Sequence, residues 1–141
     1  MARWLYLMRH AQSAERQSGQ HDKDRDLTGT GMKEAATIGH FLKKNNYDVD
    51  LIVSSAAKRA ESTARLVHGI LNLKTEIHVE ESLYEASVRN LLELTCGLDD
   101  GFKNFSGANT FEVCSARCSC KPFICFDEGE NILTVLICRL V

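Results

Sequence analysis

This chain has little net charge, no long apolar run and no cysteine before Cys96. Its formal net charge is −2 over 141 residues, with a pI near 6.2, which argues against nucleic acid or an acidic membrane surface as a partner. No apolar stretch is long enough to cross a bilayer, and no basic-then-apolar leader precedes the first strand. We therefore expect a cytoplasmic protein without membrane contact.

Cysteine is scarce early and abundant late, because five of the six cysteines lie from Cys114 to Cys138. In a reducing compartment such uneven placement argues against a disulfide framework. Structural zinc sites usually use paired cysteines two to four residues apart. The spacing from Cys114 to Cys125 is irregular, so we expect free thiols and no metal or other cofactor.

The first half of the chain alternates strand-like and helix-like segments. Strands are predicted over residues 4–8, 49–53 and 76–79, and helices over residues 29–45, 56–71 and 87–96. Thr28 is a candidate N-cap for the first helix, and Ser54 and Ser55 for the second. The order predicts an α/β fold with a mainly parallel sheet, in a single domain over residues 1–141.

The pattern becomes weaker after Leu98. Residues 104–112 show no clear period, and residues 132–141 are compatible with one last strand.

Arg9 and His10 follow directly on the apolar first strand, Trp4 to Met8. Open α/β sheets place their binding sites at the carboxyl ends of such strands. An imidazole beside a guanidinium is a poor general base, but it can act as a nucleophile toward a phosphate that the cation attracts. By itself the pair is weak evidence, because a histidine after a strand is more often a structural or hydrogen-bonded residue.

Arg59 follows the second strand and falls in the first turn of the second predicted helix. Free N–H groups and the positive helix end favour an anion there, whereas a cation is mildly unfavourable. The alternative is a solvated Lys58-Arg59 pair. Two strand ends that bring arginines to one sheet edge predict a phosphate pocket in which His10 attacks phosphorus in line.

Four segments resemble the histidine phosphatase superfamily, and more narrowly its short phosphohistidine phosphatase (SixA-type) branch. They are Leu-Met-Arg-His-Ala at 7–11, Asp-Arg-Asp-Leu-Thr-Gly-Thr-Gly at 24–31, Val-Ser-Ser-Ala-Ala-Lys-Arg-Ala-Glu-Ser-Thr-Ala at 53–64 and Leu-Tyr-Glu-Ala-Ser at 83–87. The resemblance covers residues 3–97. It implies a three-layer α/β/α, phosphoglycerate mutase-like fold and a catalytic cycle without metal.

The resemblance also implies roles for individual residues. His10 would become phosphorylated, Arg9 and Arg59 would bind the phosphoryl oxygens, and Glu85 stands near the place of a proton donor. Arg25 would position the long loop or the phosphate, or be an exposed loop charge. The implied substrate is a phosphorylated histidine on a phosphorelay or phosphotransfer protein, with a small phosphomonoester as the alternative.

The chain departs from this family pattern in its last third. The family carries a second histidine in a Gly-His motif after a late apolar strand, but no histidine here follows His78, which we expect to point outward. A segment near residues 98–103 looks missing, and residues 131–141 are candidates to replace the late strand. The rival hypotheses are a phosphate- or phosphoprotein-binding module with little turnover, and an incomplete product that folds poorly.

Overall fold

A computed structural model describes residues 3–87, 89, 104–108, 121–126 and 133–140. Six strands form one sheet in the order β3-β2-β4-β1-β6-β5. The strands are β1 (Arg3–Met8), β2 (Leu51–Ser55), β3 (His78–Glu80), β4 (Asn104–Ala108), β5 (Lys121–Phe126) and β6 (Leu133–Leu140). The helices whose bounds the structure describes are α1 (Gly29–Lys44) and α2 (Lys58–Leu71), with short 3₁₀ turns at Asp22–Asp24 and Glu81–Leu83.

The sheet is mainly parallel, as predicted. β4 pairs in parallel with both β1 and β2, and β2 pairs in parallel with β3. β6 runs antiparallel to β1 and to β5. The carboxyl ends of β1, β2 and β4 therefore meet at one sheet edge, with Met8 and Ser54 both in register with Ala108.

The last third of the chain contributes β4, β5 and β6 to the sheet. Residues 104–108, which show no clear sequence period, form β4 in the middle of the sheet. The last strand predicted over residues 132–141 is confirmed as β6 (Leu133–Leu140). It runs antiparallel to β1, so it does not replace a parallel late strand; β4 lies between β1 and β2 instead. The helix predicted over residues 87–96 and the segment 98–103 lie almost wholly outside the described residues.

The core forms where α1 and α2 pack against each other and against the sheet. Gly39 permits close helix contact, since a Cβ there would lie 3.0 Å from the Ile70 side chain. Met32 is 49% exposed, whereas Ile38 lies on the buried face of α1. The central core cluster consists of Tyr6, Met8, Ala11, Leu27, Ala35, Ile38, Leu42, Val49, Ile52, Ala64 and Val67.

Thr28 caps α1 as predicted, because its side chain accepts a hydrogen bond from the N–H of Gly31. The predicted capping of α2 by Ser54 and Ser55 was wrong. Both serines are buried in β2, and the N-cap is Ala57, which has no side chain able to accept a hydrogen bond. The first turn of α2 thus keeps backbone donors that no cap side chain satisfies. No helix in the described part of the chain is long and apolar enough to span a membrane.

Candidate active site

His10 lies two residues beyond the end of β1, at the sheet edge where β2 and β4 also end. Its Nδ1 lies 2.8 Å from the carbonyl oxygen of Ala11, and its Nε2 lies 3.2 Å from the Nε of Arg59. A carbonyl can only accept and a guanidinium can only donate. These partners therefore fix the neutral tautomer, with the proton on Nδ1 and a lone pair on Nε2.

The electrostatics of the pocket favour the same neutral imidazole. Burial lowers the pKa of His10 below its ordinary value of 6.5, and the charges of Arg59, Arg9 and Arg25 lower it further. The hydrogen bond to the Ala11 carbonyl acts in the opposite direction. At neutral pH His10 consequently carries an unprotonated Nε2, which a nucleophile requires.

Arg59 stands in the first turn of α2, as predicted, and its side chain is only 12% exposed. Its Nη1 donates to the backbone carbonyl of Asp22 over 2.7 Å, and its Nη2 donates to the Asp22 carboxylate over 2.8 Å. The alternative of a solvated Lys58-Arg59 pair does not fit this burial. Lys58 instead lies at the surface and pairs with Asp26 over 2.9 Å.

Arg25 is held by the loop that surrounds the pocket. Its Nε donates to the carbonyl of Ala14, its Nη2 to the Ser13 hydroxyl and its Nη1 to the Asp22 carboxylate, each over 2.8 to 2.9 Å. These contacts favour the loop-positioning alternative for Arg25. Its charge still reaches the site, because it lowers the pKa of His10.

Arg9 and Glu85, the remaining candidates, are both exposed. The charge of Arg9 lowers the pKa of His10. Glu85 has a left-handed backbone, with φ of 51°, and lies close enough to influence its neighbour Tyr84. Burial, the hydrogen bond to Asp22 and then the Asp22 and Glu85 charges raise the pKa of Tyr84.

Sequence reasoning missed three residues that organise the site. Asp22 binds Arg59, Arg25 and Tyr84, whose hydroxyl donates to the carboxylate over 3.1 Å. Thr63 links the loop after β1 to α2, and Glu34 accepts from the backbone N–H of Gln12 over 2.9 Å. Asp22 stands among several acidic residues of a long loop, so its spacing alone carried no distinguishing signal.

His78 and His68 have partners of their own. His78 is exposed, as predicted, and its Nε2 lies 3.6 Å from the Glu80 carboxylate. His68 contacts the carbonyl of Thr75 over 2.6 Å, and His40 is exposed on α1. β4 ends in Gly107 and Ala108 at the edge where a late Gly-His was expected, so no histidine stands on this strand.

Comparison with known proteins identifies the family to which the chain belongs. The model of the histidine phosphatase superfamily, branch 1, matches residues 5–96, which is more than half of the chain. Among curated relatives, "Putative phosphoserine phosphatase 2" of Hydrogenobacter thermophilus is 42% identical over 86 residues, 59% of this chain and 40% of the relative. A 2,3-bisphosphoglycerate-dependent phosphoglycerate mutase of Bartonella bacilliformis is 42% identical over 67 residues, 46% of this chain and 32% of the relative. The chain thus spans less than half the length of these relatives.

Among solved structures, the "putative phosphohistidine phosphatase SixA" of Agrobacterium tumefaciens superposes with a TM-score of 0.70 at 28% identity, over 76% of this chain and 69% of that one. A SixA protein histidine phosphatase complexed with tungstate matches with a TM-score of 0.66 at 24% identity, over 75% and 68%, which supports the fold alone. The fold is the three-layer α/β/α, phosphoglycerate mutase-like class with a mainly parallel sheet. Together with the family match, this shows a SixA-like phosphatase architecture, and the chain belongs to the histidine phosphatase superfamily, branch 1.

Proposed function

We propose that this protein removes the phosphoryl group from phosphorylated histidine on a partner protein, through a phosphohistidine intermediate at His10. The observation that carries the proposal is the hydrogen bonding of His10. Its Nδ1–H donates to the Ala11 carbonyl, which leaves the Nε2 lone pair beside Arg59. A fixed, neutral imidazole next to a guanidinium can attack phosphorus while the cation binds phosphoryl oxygens.

The reaction would proceed in two steps. His10 Nε2 forms a bond to phosphorus as the P–N bond of the substrate breaks, and the substrate imidazole leaves with its proton. Water then attacks the phosphorus of the intermediate, which releases inorganic phosphate and returns His10 to its neutral form. Arg9 and Arg59 would stabilise the oxygens in both steps, with no metal or other cofactor.

The leaving group decides how much acid assistance the reaction needs. An imidazole leaves phosphorus more readily than an alkoxide, so a phosphohistidine substrate places little demand on Glu85. With a phosphomonoester, Glu85 would have to supply a proton. The exposure of Glu85 and the absence of a histidine on β4 therefore favour phosphohistidine over a phosphomonoester.

The surface beside the pocket also suits a protein substrate. A cleft of about 380 Å³ lies next to Asp22 and is lined by His21, Asp22, Lys23, Asp24 and Tyr84. Arg9, which follows β1, is exposed as well. Charged, accessible groups of both signs can contact a phosphorylated partner such as a phosphorelay or phosphotransfer component.

Rapid-quench labelling with a [³²P]phosphohistidine protein tests this proposal. We expect acid-labile label on the parent protein, followed by phosphate release, with both lost in His10→Ala. His40→Ala, an exposed histidine on α1, is the matched control and should behave like the parent. Release without label, or label that survives His10→Ala, would contradict His10 as the nucleophile.

A second candidate function is a phosphoprotein-binding module with little turnover. It is favoured by β4, which ends in Gly107 and Ala108 without a second histidine to complete the pocket. Loss of one charge-assisted donor to a transferring phosphoryl group typically costs about 10²–10³ in rate. Binding of the phosphorylated partner that depends on Arg59, without label transfer or phosphate release, would support this function instead.

A further inference from the structure

The guanidinium of Arg59 has two edges that can each donate a pair of parallel hydrogen bonds. The end edge carries Nη1–H and Nη2–H, and the side edge carries Nε–H and the second Nη2–H. Both hydrogen bonds to Asp22 come from the two Nη atoms, one to its carbonyl and one to its carboxylate. Asp22 therefore occupies the end edge.

The side edge faces the nucleophile. Nε of Arg59 donates to Nε2 of His10 over 3.2 Å, so this edge lies where a phosphoryl group attacked by Nε2 must be. When substrate binds, a phosphoryl oxygen would replace His10 Nε2 as the acceptor of the Arg59 Nε–H, which frees the Nε2 lone pair for attack while Asp22 keeps the end edge. The carboxylate thus leaves free the part of Arg59 that the reaction uses.

Asp22 is itself fixed from three directions. Its carboxylate accepts from Arg25 over 2.9 Å, from Arg59 over 2.8 Å and from the Tyr84 hydroxyl over 3.1 Å. Arg25 is in turn bound to Ser13 and to the carbonyl of Ala14. These hydrogen bonds join the long loop, the first turn of α2 and the segment after β3 at one carboxylate.

We propose that Asp22 is a positioning residue, whose carboxylate holds the end edge of Arg59 so that the side edge faces His10 Nε2 and the transferring phosphoryl group. The expected effect of Asp22 on the reaction rate rests on the proposed phosphoryl transfer. The hydrogen bonds between Asp22 and Arg59 are present without turnover. The opposite role would be a competing anion, which phosphate must displace from Arg59. Because Asp22 binds only the end edge of Arg59 and the side edge faces His10, the geometry argues for positioning.

NMR spectroscopy tests the geometry independently of activity. In ¹⁵N-labelled protein, we expect the Nε–H of Arg59 to show scalar coupling across the hydrogen bond to His10 Nε2. The coupling should disappear in Asp22→Ala and persist in Glu15→Gln, which neutralises an exposed carboxylate of the same loop. Persistence in a folded Asp22→Ala protein would overturn the proposal.

Kinetics with the phosphohistidine protein tests the consequence. We expect kcat to fall about 10- to 100-fold in Asp22→Ala, the usual effect of misplacing a group that contacts the transition state, with KM changing far less. Asp22→Asn keeps one oxygen acceptor for Arg59 and should lie between Asp22→Ala and the parent. A higher kcat, or tighter phosphate binding, in either variant would show a competing anion and overturn the positioning role.

The two measurements separate failure of this inference from failure of the proposed function. If the parent and Glu15→Gln both lack turnover, the proposed function fails, and the coupling alone decides the role of Asp22. If the parent turns over and Asp22→Ala retains both coupling and kcat, the proposed function stands and the positioning role fails. Thermal melts identify a variant that does not fold. If Asp22→Ala does not fold, the coupling and kcat of Asp22→Asn decide the role of Asp22 instead.

Discussion

The hydroxyl of Thr63 accepts a hydrogen bond from the backbone N–H of Ala11 over 3.1 Å and donates one to the carbonyl of Arg59 over 2.7 Å. Thr63 is completely buried in α2, 52 residues from Ala11 in the chain. One hydroxyl thus connects the residue after His10 to the helix turn that carries Arg59. The relative placement of His10 and Arg59 depends on this link.

We expect Thr63→Val to destabilise the protein by about 1–3 kcal/mol, because the isosteric side chain leaves the buried N–H of Ala11 without a partner. Chemical denaturation measures the change. Thr37→Val is the matched control, since Thr37 is exposed on α1 and donates only to the Lys33 carbonyl. A change as small as that of Thr37→Val, within about 0.5 kcal/mol, would contradict the importance of the Thr63 link.

Gly31 lets the first turn of α1 approach the loop after β1. A Cβ at this position would lie 2.1 Å from the backbone carbonyl oxygen of Gln12, which cannot move away as a side chain can. We expect Gly31→Ala to lower the free energy of unfolding by about 1–3 kcal/mol. Gly29→Ala is the control, because no atom lies within 4 Å of its Cβ position, and it should be neutral or stabilising. Equal effects in thermal melts would refute the steric explanation.

The pH dependence should follow the lowered pKa of His10. We expect the acid limb of kcat/KM to lie below pH 6.5, because His10 stays neutral until the pH falls beneath that value. The free energy of unfolding changes with pH in the same direction as kcat/KM. The unfolded state binds a proton first, so the contribution of His10 to stability falls as pH drops below 6.5 toward the folded pKa.

Arg59→Gln should raise the pKa of His10, since it removes one of the charges that lower it. NMR titration of the His10 ring measures the shift. Arg65→Gln, on the exposed side of the same helix, should leave the titration unchanged. An equal shift in both variants would show that general charge, rather than the Arg59 contact, sets the pKa of His10.

Glu85 combines an exposed carboxylate with a left-handed backbone, at a φ of 51°. Glycine adopts this conformation without strain, so we expect Glu85→Gly to be more stable than Glu85→Gln by about 1 kcal/mol. If Glu85 donates a proton, both variants should lose about 10²-fold or more in turnover of a phosphomonoester and much less with phosphohistidine. Parallel losses on both substrates would argue against that role.

The sequence was sufficient for the fold class and for the two strand ends that carry the site. The apolar first strand followed by Arg9-His10, and the placement of Arg59 in the first turn of a helix, are local features that periodicity and end signals reveal. Thr28 was likewise predictable as an N-cap, because capping depends on the side chain of one residue and the N–H groups that follow it.

Only the tertiary structure decided which loop residues complete the site and where the late strands lie. Residues 104–108 become a central strand because β1 and β2 pair with it from both sides, a long-range interaction that no local period reports. Asp22 and Thr63 act on Arg59 and Ala11 across 37 and 52 residues of chain. Contacts of that separation depend on how the elements pack, so the sequence determined the reactive groups and the packing determined how they are held.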